Sequence, residues 1–402
     1  MRLTAPGARA GSPPLFHPIR GVFAEEGHAA EGTWAPNAAP VGPTRAVAPT
    51  PDYYMLEQRR SDAVLQRGLV GAVDLAAVAS RRLHKHEGVS DAHVTVQEQL
   101  LHRRGGNDEP ILLMAQSLGA VSDYLDHLAV TPPDSVMTAA DGTEQRIWAC
   151  RNLAMIAEAL RLADPHLLVA DGHHRLEAAL RFHRSRDNDG SGPASRILAV
   201  AVDSSRFPPT LSAIHRTVPD IDIEQAVRTA SRFARVRRLP PRLEPPQPGH
   251  LVLCGEGQVW EVSQICRSLA ESRLRELPRQ WHDLDAALAT HVLIPELCAA
   301  QSVERPFSYT HALPSPTSRG RLGVVLPRPT LTQIWQCAES GVALPRKSTS
   351  FTPKPMPGQI SYLFEHERFE HGAREVASSA KEQFGWGQHR GRSEAEARRA
   401  AQ

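Results

Sequence analysis

The sequence predicts a mixed α/β chain of the α+β kind, on three observations. Short apolar runs that read as strands alternate with i, i+3, i+4 patterns that read as helices, and no helical run is long. Hydrophobic residues make up 41% and charged residues 22%, the balance of a chain that buries a core. The length, 402 residues, suffices for two or three ordinary domains.

Residues 1–52 are rich in Pro, Gly and Ala and are expected to be extended or disordered, with "LFHPIRGVF" as a short edge strand. A core region is expected over 53–240. In it "GLVGAVDL" (68–75), "EPILLMAQ" (109–116), "EQRIWACR" (144–151) and "ASRILAVAVDS" (194–204) read as strands. The segments "DAHVTVQEQLLHRR" (91–104), "GAVSDYLDHLAV" (119–130) and "NLAMIAEALRLAD" (152–164) read as helices between them. A helix starting in "PDIDIEQAV" runs into a Pro-rich connector, which puts a boundary near residue 240. A second α+β region is expected over 241–365. It opens with "HLVLCGEGQVWEVS", a hairpin turning at Gly255 to Gly257. "DLDAALATHVLIPELC" and "RLGVVLPRPTLTQIWQCAESG" follow, each helix- or strand-forming. Residues 366–402 read as a frayed polar tail.

Several function classes are disfavoured at once. Lys+Arg number 46 against 44 Asp+Glu, so the one-sided basic charge of a nucleic-acid binder is missing. Cys150, Cys254, Cys266, Cys298 and Cys337 are scattered and never form C-x-x-C, which argues against a zinc site or disulfide framework and for a reducing compartment. No apolar run nears twenty residues and no charged-then-apolar leader opens the sequence, so no membrane partner is expected and the cytoplasm is the expected location.

The most informative stretch is "HLLVADGHHRLEAAL" (166–180), where an apolar strand runs into a helix through Asp171, Gly172, His173, His174 and Arg175. A glycine there allows a tight turn and close approach of a ligand to the backbone. The helix that follows opens with unpaired N–H groups and the positive end of its dipole, which together make an anion site. Asp171 is suited to cap the helix or tie down the loop. His173, His174 and Arg175 are suited to donate to phosphate oxygens, Arg175 best through its bidentate fork. Adjacent His173 and His174 rarely point at one ion, so they are not read as metal ligands.

"VADGHHRLEAAL" resembles the signature of the DUF1015 family, near "ADGHHRYEAAL". Three more stretches resemble its motifs in the right order: "RRLHKHEGV", "LAVAVDSSRFPPTLSAIHRTV" and "GVALPRKSTSFTPKPMPG". The resemblance covers roughly residues 53–365. It implies a ParB/sulfiredoxin-like nucleotide-binding core, in which a G-x-[HR]-R turn holds nucleotide phosphates. Free serine kinases, similar to this superfamily, transfer a phosphoryl group from ATP or ADP to the serine hydroxyl. Carried over by resemblance, Glu87 of "HKHEGV" is the catalytic carboxylate, with Asp171 beside it helping to hold Mg²⁺. Lys347, Ser348 and Thr349 of "RKSTS" are substrate-side residues; Arg216 of "IHRTV", a basic residue closing a strand, either points into the same cleft as a substrate-binding group or pairs with a neighbouring acid. In isolation "HKHE" reads as a solvated loop and Lys347 as a surface lysine.

The resemblance thus implies a nucleotide-dependent kinase acting on the hydroxyl of a free, serine-like amino acid, with ATP or ADP and Mg²⁺. A non-catalytic nucleotide-binding regulator is the other reading, and it needs neither Glu87 nor Lys347. Sulfiredoxin chemistry is excluded, because the nucleophilic cysteine of that loop is His173 here. The chain also departs from the family near its N-terminus, where "WAPNAAPVGPTRAVAP" stands in place of a "PPYDV"-like motif.

Overall fold

A computed structural model describes residues 14–23, 46–186, 192–304 and 307–367. Most of the expected N-terminal segment (1–13 and 24–45) and the tail from 368 onward lie outside the described residues.

The architecture is mixed α/β, built on two main sheets. The larger follows the strand order Leu83–His84, Leu167–Asp171, Ile111–Ala115, Arg196–Asp203, Ala63–Asp74, Tyr54–Arg60, Thr143–Ala149, Ser135–Thr138, and Phe16–His17 pairs with Ala63–Asp74. Its centre is a continuous apolar run: every residue of Ile111–Ala115 is buried, as is Ile197 through Val202 of the strand parallel to it. Helices Asp91–Arg104 and His173–Arg184 pack against each other, and Ala120–Leu128 packs against Leu153–Ala163. Each forms where the sequence reads as helical, and Ala120–Leu128 and Leu153–Ala163 do so on a clear apolar face.

Two features depart from the local reading. Ala63–Asp74 is longer than "GLVGAVDL", because Tyr54–Arg60, a strand not singled out from sequence, pairs with its first half. In "LFHPIRGVF", two two-residue strands form, and Leu15, Phe16, Ile19 and Val22 are buried in the core.

The second sheet is antiparallel, in the order Arg235–Leu239, Gln258–Ser263, His250–Gly255, Arg321–Val325, His215–Pro219, Ser308–Thr310. The hairpin turns through Glu256 and Gly257, both at positive φ (52° and 79°), which matches the twist of its strands. Helix Ile223–Ala230 starts at Asp222, whose carboxylate accepts from the Gln225 N–H at 2.7 Å. "DLDAALATHVLIPELC" is helical throughout 285–298, and "RLGVVLPRPTLTQIWQCAESG" is a strand followed by helix Leu331–Glu339. Residue 240 falls between two strands of this one sheet.

After helix Leu331–Glu339 the chain returns to the main core through two smaller sheets, one of two strands and one of four. Thr349–Thr352 pairs with Thr210–Ala213, and Ile360–Leu363 pairs with Val22–Phe23 and Gly106–Asn107. Phe351, Ile360, Tyr362 and Phe364 enter the main core. This return brings the "RKST" segment back to the DGHHR turn. Among the described residues no helix is long and apolar enough to cross a membrane.

Candidate functional site

The strand Leu167–Asp171 ends at the turn, and helix His173–Arg184 begins one residue later. Gly172 is the N-cap, at φ 97°. A Cβ there would lie 2.6 Å from Ile111 Cγ2, so both the dihedral and the space demand glycine. Its carbonyl accepts the first helical bond, from Leu176 N–H at 2.9 Å. The N–H groups of the first turn are left without helical partners.

Asp171 does not cap the helix. Its Oδ2 accepts from Arg175 Nη2 at 2.8 Å, and its Oδ1 accepts from Lys354 Nζ. Arg175 also donates through Nη1 to the carbonyls of Glu109 (3.0 Å) and Pro110 (2.7 Å), and Nη2 lies 3.0 Å from Glu109 Oε1. This guanidinium therefore braces the turn against the chain entering Ile111–Ala115.

The two histidines face inward. His173 is buried, and its Nε2 accepts from His86 N–H at 3.4 Å, with the two rings edge to face at 4.5 Å. His174 Nε2 accepts from Ser90 N–H at 3.0 Å. Burial, then the charges of His86, His174, Lys85 and Arg175, holds His173 well below the ordinary imidazole range. His174 is lowered by burial first and then by His93, Lys347 and Arg346. Both rings are thus acceptors fastening the "HKHEGV" loop to the helix.

His86 is fully buried, its Nε2 lies 3.0 Å from Thr349 Oγ1, and burial pushes its pKa to about 4. From pH 6.5 down to about 4, the unfolded chain binds a proton at His86 that the folded chain refuses. Stability is therefore expected to fall as pH drops through that window, by up to about 3 kcal/mol from this group. Urea unfolding midpoints that stay flat between pH 7 and pH 5 would contradict this.

The "HKHEGV" and "RKST" segments run side by side. Leu344 N–H donates to His86 C=O at 2.7 Å, and Glu87 and Leu344 form a parallel bridge. Lys347 N–H donates to Glu87 Oε1 at 3.2 Å, across 260 residues of sequence. Lys347 C=O accepts from Arg216 Nη1 at 3.1 Å. One exposed residue, at φ 56°, thus holds the carboxylate through its N–H and the guanidinium through its C=O. Burial is the largest influence on Glu87 and raises its pKa; the Lys347 N–H and ammonium oppose the rise, Asp171 adds to it, and Lys354 opposes it.

Arg216 is the most anomalous charge in the molecule. It is 0% exposed, Nε and Nη2 lack hydrogen-bond partners, and Nη1 donates to the Ile214 and Lys347 carbonyls. The Tyr309 ring covers it at 4.6 Å, and burial lowers its pKa to about 10. Ser348 and Thr349 are buried, with their hydroxyls turned to Pro345 C=O and His86.

The expected residues therefore converge. Asp171 and Lys347 both act on the Glu87 carboxylate and Arg216 bonds the Lys347 carbonyl, while His173, His174, Arg175, Ser348 and Thr349 make bonds that hold these segments in place. The sequence reading missed Lys354, although it stands in the quoted "FTPKPMPG". It also left Tyr309 unassigned. Among the described residues no group of three or more His, Cys, Asp or Glu could hold a metal.

A family model described as "Protein of unknown function (DUF1015)" matches residues 46–287, more than half of the chain. The chain belongs to the DUF1015 family. This DUF1015 protein is also similar to solved structures. SbnI with a C-terminal truncation, from Staphylococcus aureus, has 11% identity and a TM-score of 0.40, over 78% of this chain and 97% of that one. A free serine kinase in complex with AMP has 14% identity and a TM-score of 0.38, over 74% and 93%. A mutant free serine kinase in complex with ADP has 13% identity and a TM-score of 0.38, over 77% and 95%. No curated protein matches this DUF1015 chain.

Proposed function

We propose that this protein is a nucleotide-dependent kinase that phosphorylates the hydroxyl of a small, serine-like amino acid. The observation that carries the reading is the Glu87–Lys347 contact at 3.2 Å, which sets a carboxylate raised by burial beside the field of Asp171 and the helix N-terminus. The first-turn N–H groups after Gly172 are suited to nucleotide phosphates. In the reaction, the acceptor oxygen bonds to the terminal phosphorus as the bond from that phosphorus to its bridging oxygen breaks. The hydroxyl proton passes to the Glu87 carboxylate, and the nucleotide leaves one phosphate shorter. ATP and ADP both satisfy this scheme.

Arg216 anchors the acceptor if the Tyr309 ring that covers it swings aside, because the guanidinium is otherwise fully buried. A buried guanidinium with two unpaired nitrogens is costly on its own, and an acceptor carboxylate would satisfy it. Replacing it by a shape-filling apolar residue removes that cost. Arg216→Met is therefore expected to keep or raise thermal stability while weakening acceptor binding on the order of 10–100-fold. Calorimetric melts beside acceptor titration read both; a melt that falls sharply would make Arg216 a structural residue instead.

Mg²⁺ fits poorly at Asp171. Both of its oxygens already face a cation, and a divalent ion would stand against Arg175 and Lys354. The test is phosphorus NMR of ATP or ADP incubated with a panel of free amino acids. A new phosphomonoester supports the kinase; nucleotide binding without transfer to any acceptor leaves a binding protein.

A further inference from the structure

The segment Pro353–Gly358 carries three prolines and has no ladder of its own, yet its carbonyls are held by buried amides. Gln66, Gln58 and Gln145 stand directly opposite one another on three adjacent strands of the larger sheet. All three are buried in a sheet whose other inward positions are largely apolar. Gln66 Nε2 donates to Gln58 Oε1 (2.6 Å) and Pro353 C=O (3.1 Å). Gln58 Nε2 donates to Gln145 Oε1 (3.0 Å) and Lys354 C=O (2.8 Å). Gln145 Oε1 accepts from Met356 N–H at 2.7 Å, and its Nε2 donates to Gln359 Oε1 at 2.9 Å. Buried amides are tolerated in a core only when paired, and this row pairs itself with the one loop that carries Lys354.

The loop delivers the Lys354 ammonium to Asp171, one residue before the turn, with its side chain half exposed. Of its three donors, Asp171 is the one acceptor among the described residues. Arg175, the cation nearest in sequence, is bound to two carbonyls and two carboxylates. Lys354 also acts on Glu87, favouring its charged form as Lys347 does. Held at Asp171 beside the turn, it stands where the last phosphate of a nucleotide bound at the helix N-terminus would lie.

We propose that Lys354 is the phosphate-binding cation of this site, set in place by the Gln66–Gln58–Gln145 row, and that it contacts the terminal phosphate of a nucleoside di- or triphosphate. This rests on the nucleotide reading above. Gln58 is then a positioning residue, and Arg175 a brace.

The test is calorimetric titration of the full chain with ADP and with AMP. Wild type is titrated first, and the Lys354→Met and Lys354→Arg variants follow. Lys354→Met is expected to weaken ADP on the order of tenfold or more while AMP changes less than about twofold, and Lys354→Arg to retain most ADP affinity. Gln58→Leu is expected to lower the ADP-to-AMP affinity ratio in the same direction. Unchanged ADP affinity in Lys354→Met, or equal loss of ADP and AMP, overturns the assignment while leaving the nucleotide reading intact. A wild-type chain that binds neither nucleotide overturns both.

Discussion

Glu87→Gln is expected to lower phosphoryl transfer by about 10²–10⁴-fold, the usual contribution of a positioned general base. The amide keeps the shape, and its Oε1 still accepts from Lys347 N–H, so folding and nucleotide binding should persist. What is lost is the capacity to take the acceptor's proton. The wild-type pH profile carries a second mark of the same group. Burial raises the Glu87 pKa, so the acidic limb of the profile should lie above the ordinary carboxylate range, because the base works only when deprotonated. In Glu87→Gln that limb should vanish. Transfer rates measured from pH 4 to 8 for both proteins give the answer, and a variant with wild-type rate and the same limb removes Glu87 from the mechanism.

Gly172→Ala should be strongly destabilising. At φ 97° an alanine is strained, and its Cβ would meet Ile111 Cγ2 at 2.6 Å and Cβ at 3.0 Å. Ile111 is fully buried in the middle of the larger sheet, paired with Ala199, and cannot move aside. A left-handed backbone costs about 1–2 kcal/mol for a residue with a Cβ, and overpacking adds about 1–3 kcal/mol. Together these approach a large part of the ~5–15 kcal/mol that holds a typical domain folded. Urea unfolding should show the loss. In an Ile111→Ala background, which removes the clashing methyl, the added cost of Gly172→Ala should shrink toward the backbone part alone. Equal costs in both backgrounds would mean that the turn does not press on Ile111.

Local signals were enough for most elements of the fold. Apolar periodicity marks the helices Ala120–Leu128 and Leu153–Ala163, and continuous apolar runs mark the buried strands Ile111–Ala115 and Arg196–Asp203. The strand Tyr54–Arg60 leaves no such trace. Its "LEQRR" carries Glu57 and Gln58, both buried, and their partners Arg67, Gln66 and Gln145 come from other strands. A charged or polar residue whose pairing is tertiary looks like a surface residue in one dimension.

The site divides in the same way. The sequence by itself determined the turn: Gly172, its flanking strand and helix, and the family motifs in order were all readable, because a strand–glycine–helix junction is made by neighbouring residues. Only the tertiary structure decided what each charged group does there. Arg175 became a brace, since the carbonyls of Glu109 and Pro110 lie beside it. Lys354 reached Asp171 across 183 positions because a row of buried amides holds its loop. Glu87 and Arg216 met at the N–H and the C=O of one residue, Lys347, because the chain comes back to the main core after leaving it. Hydrogen-bonding capacity is written in a residue, whereas the partner that uses it is chosen by the fold.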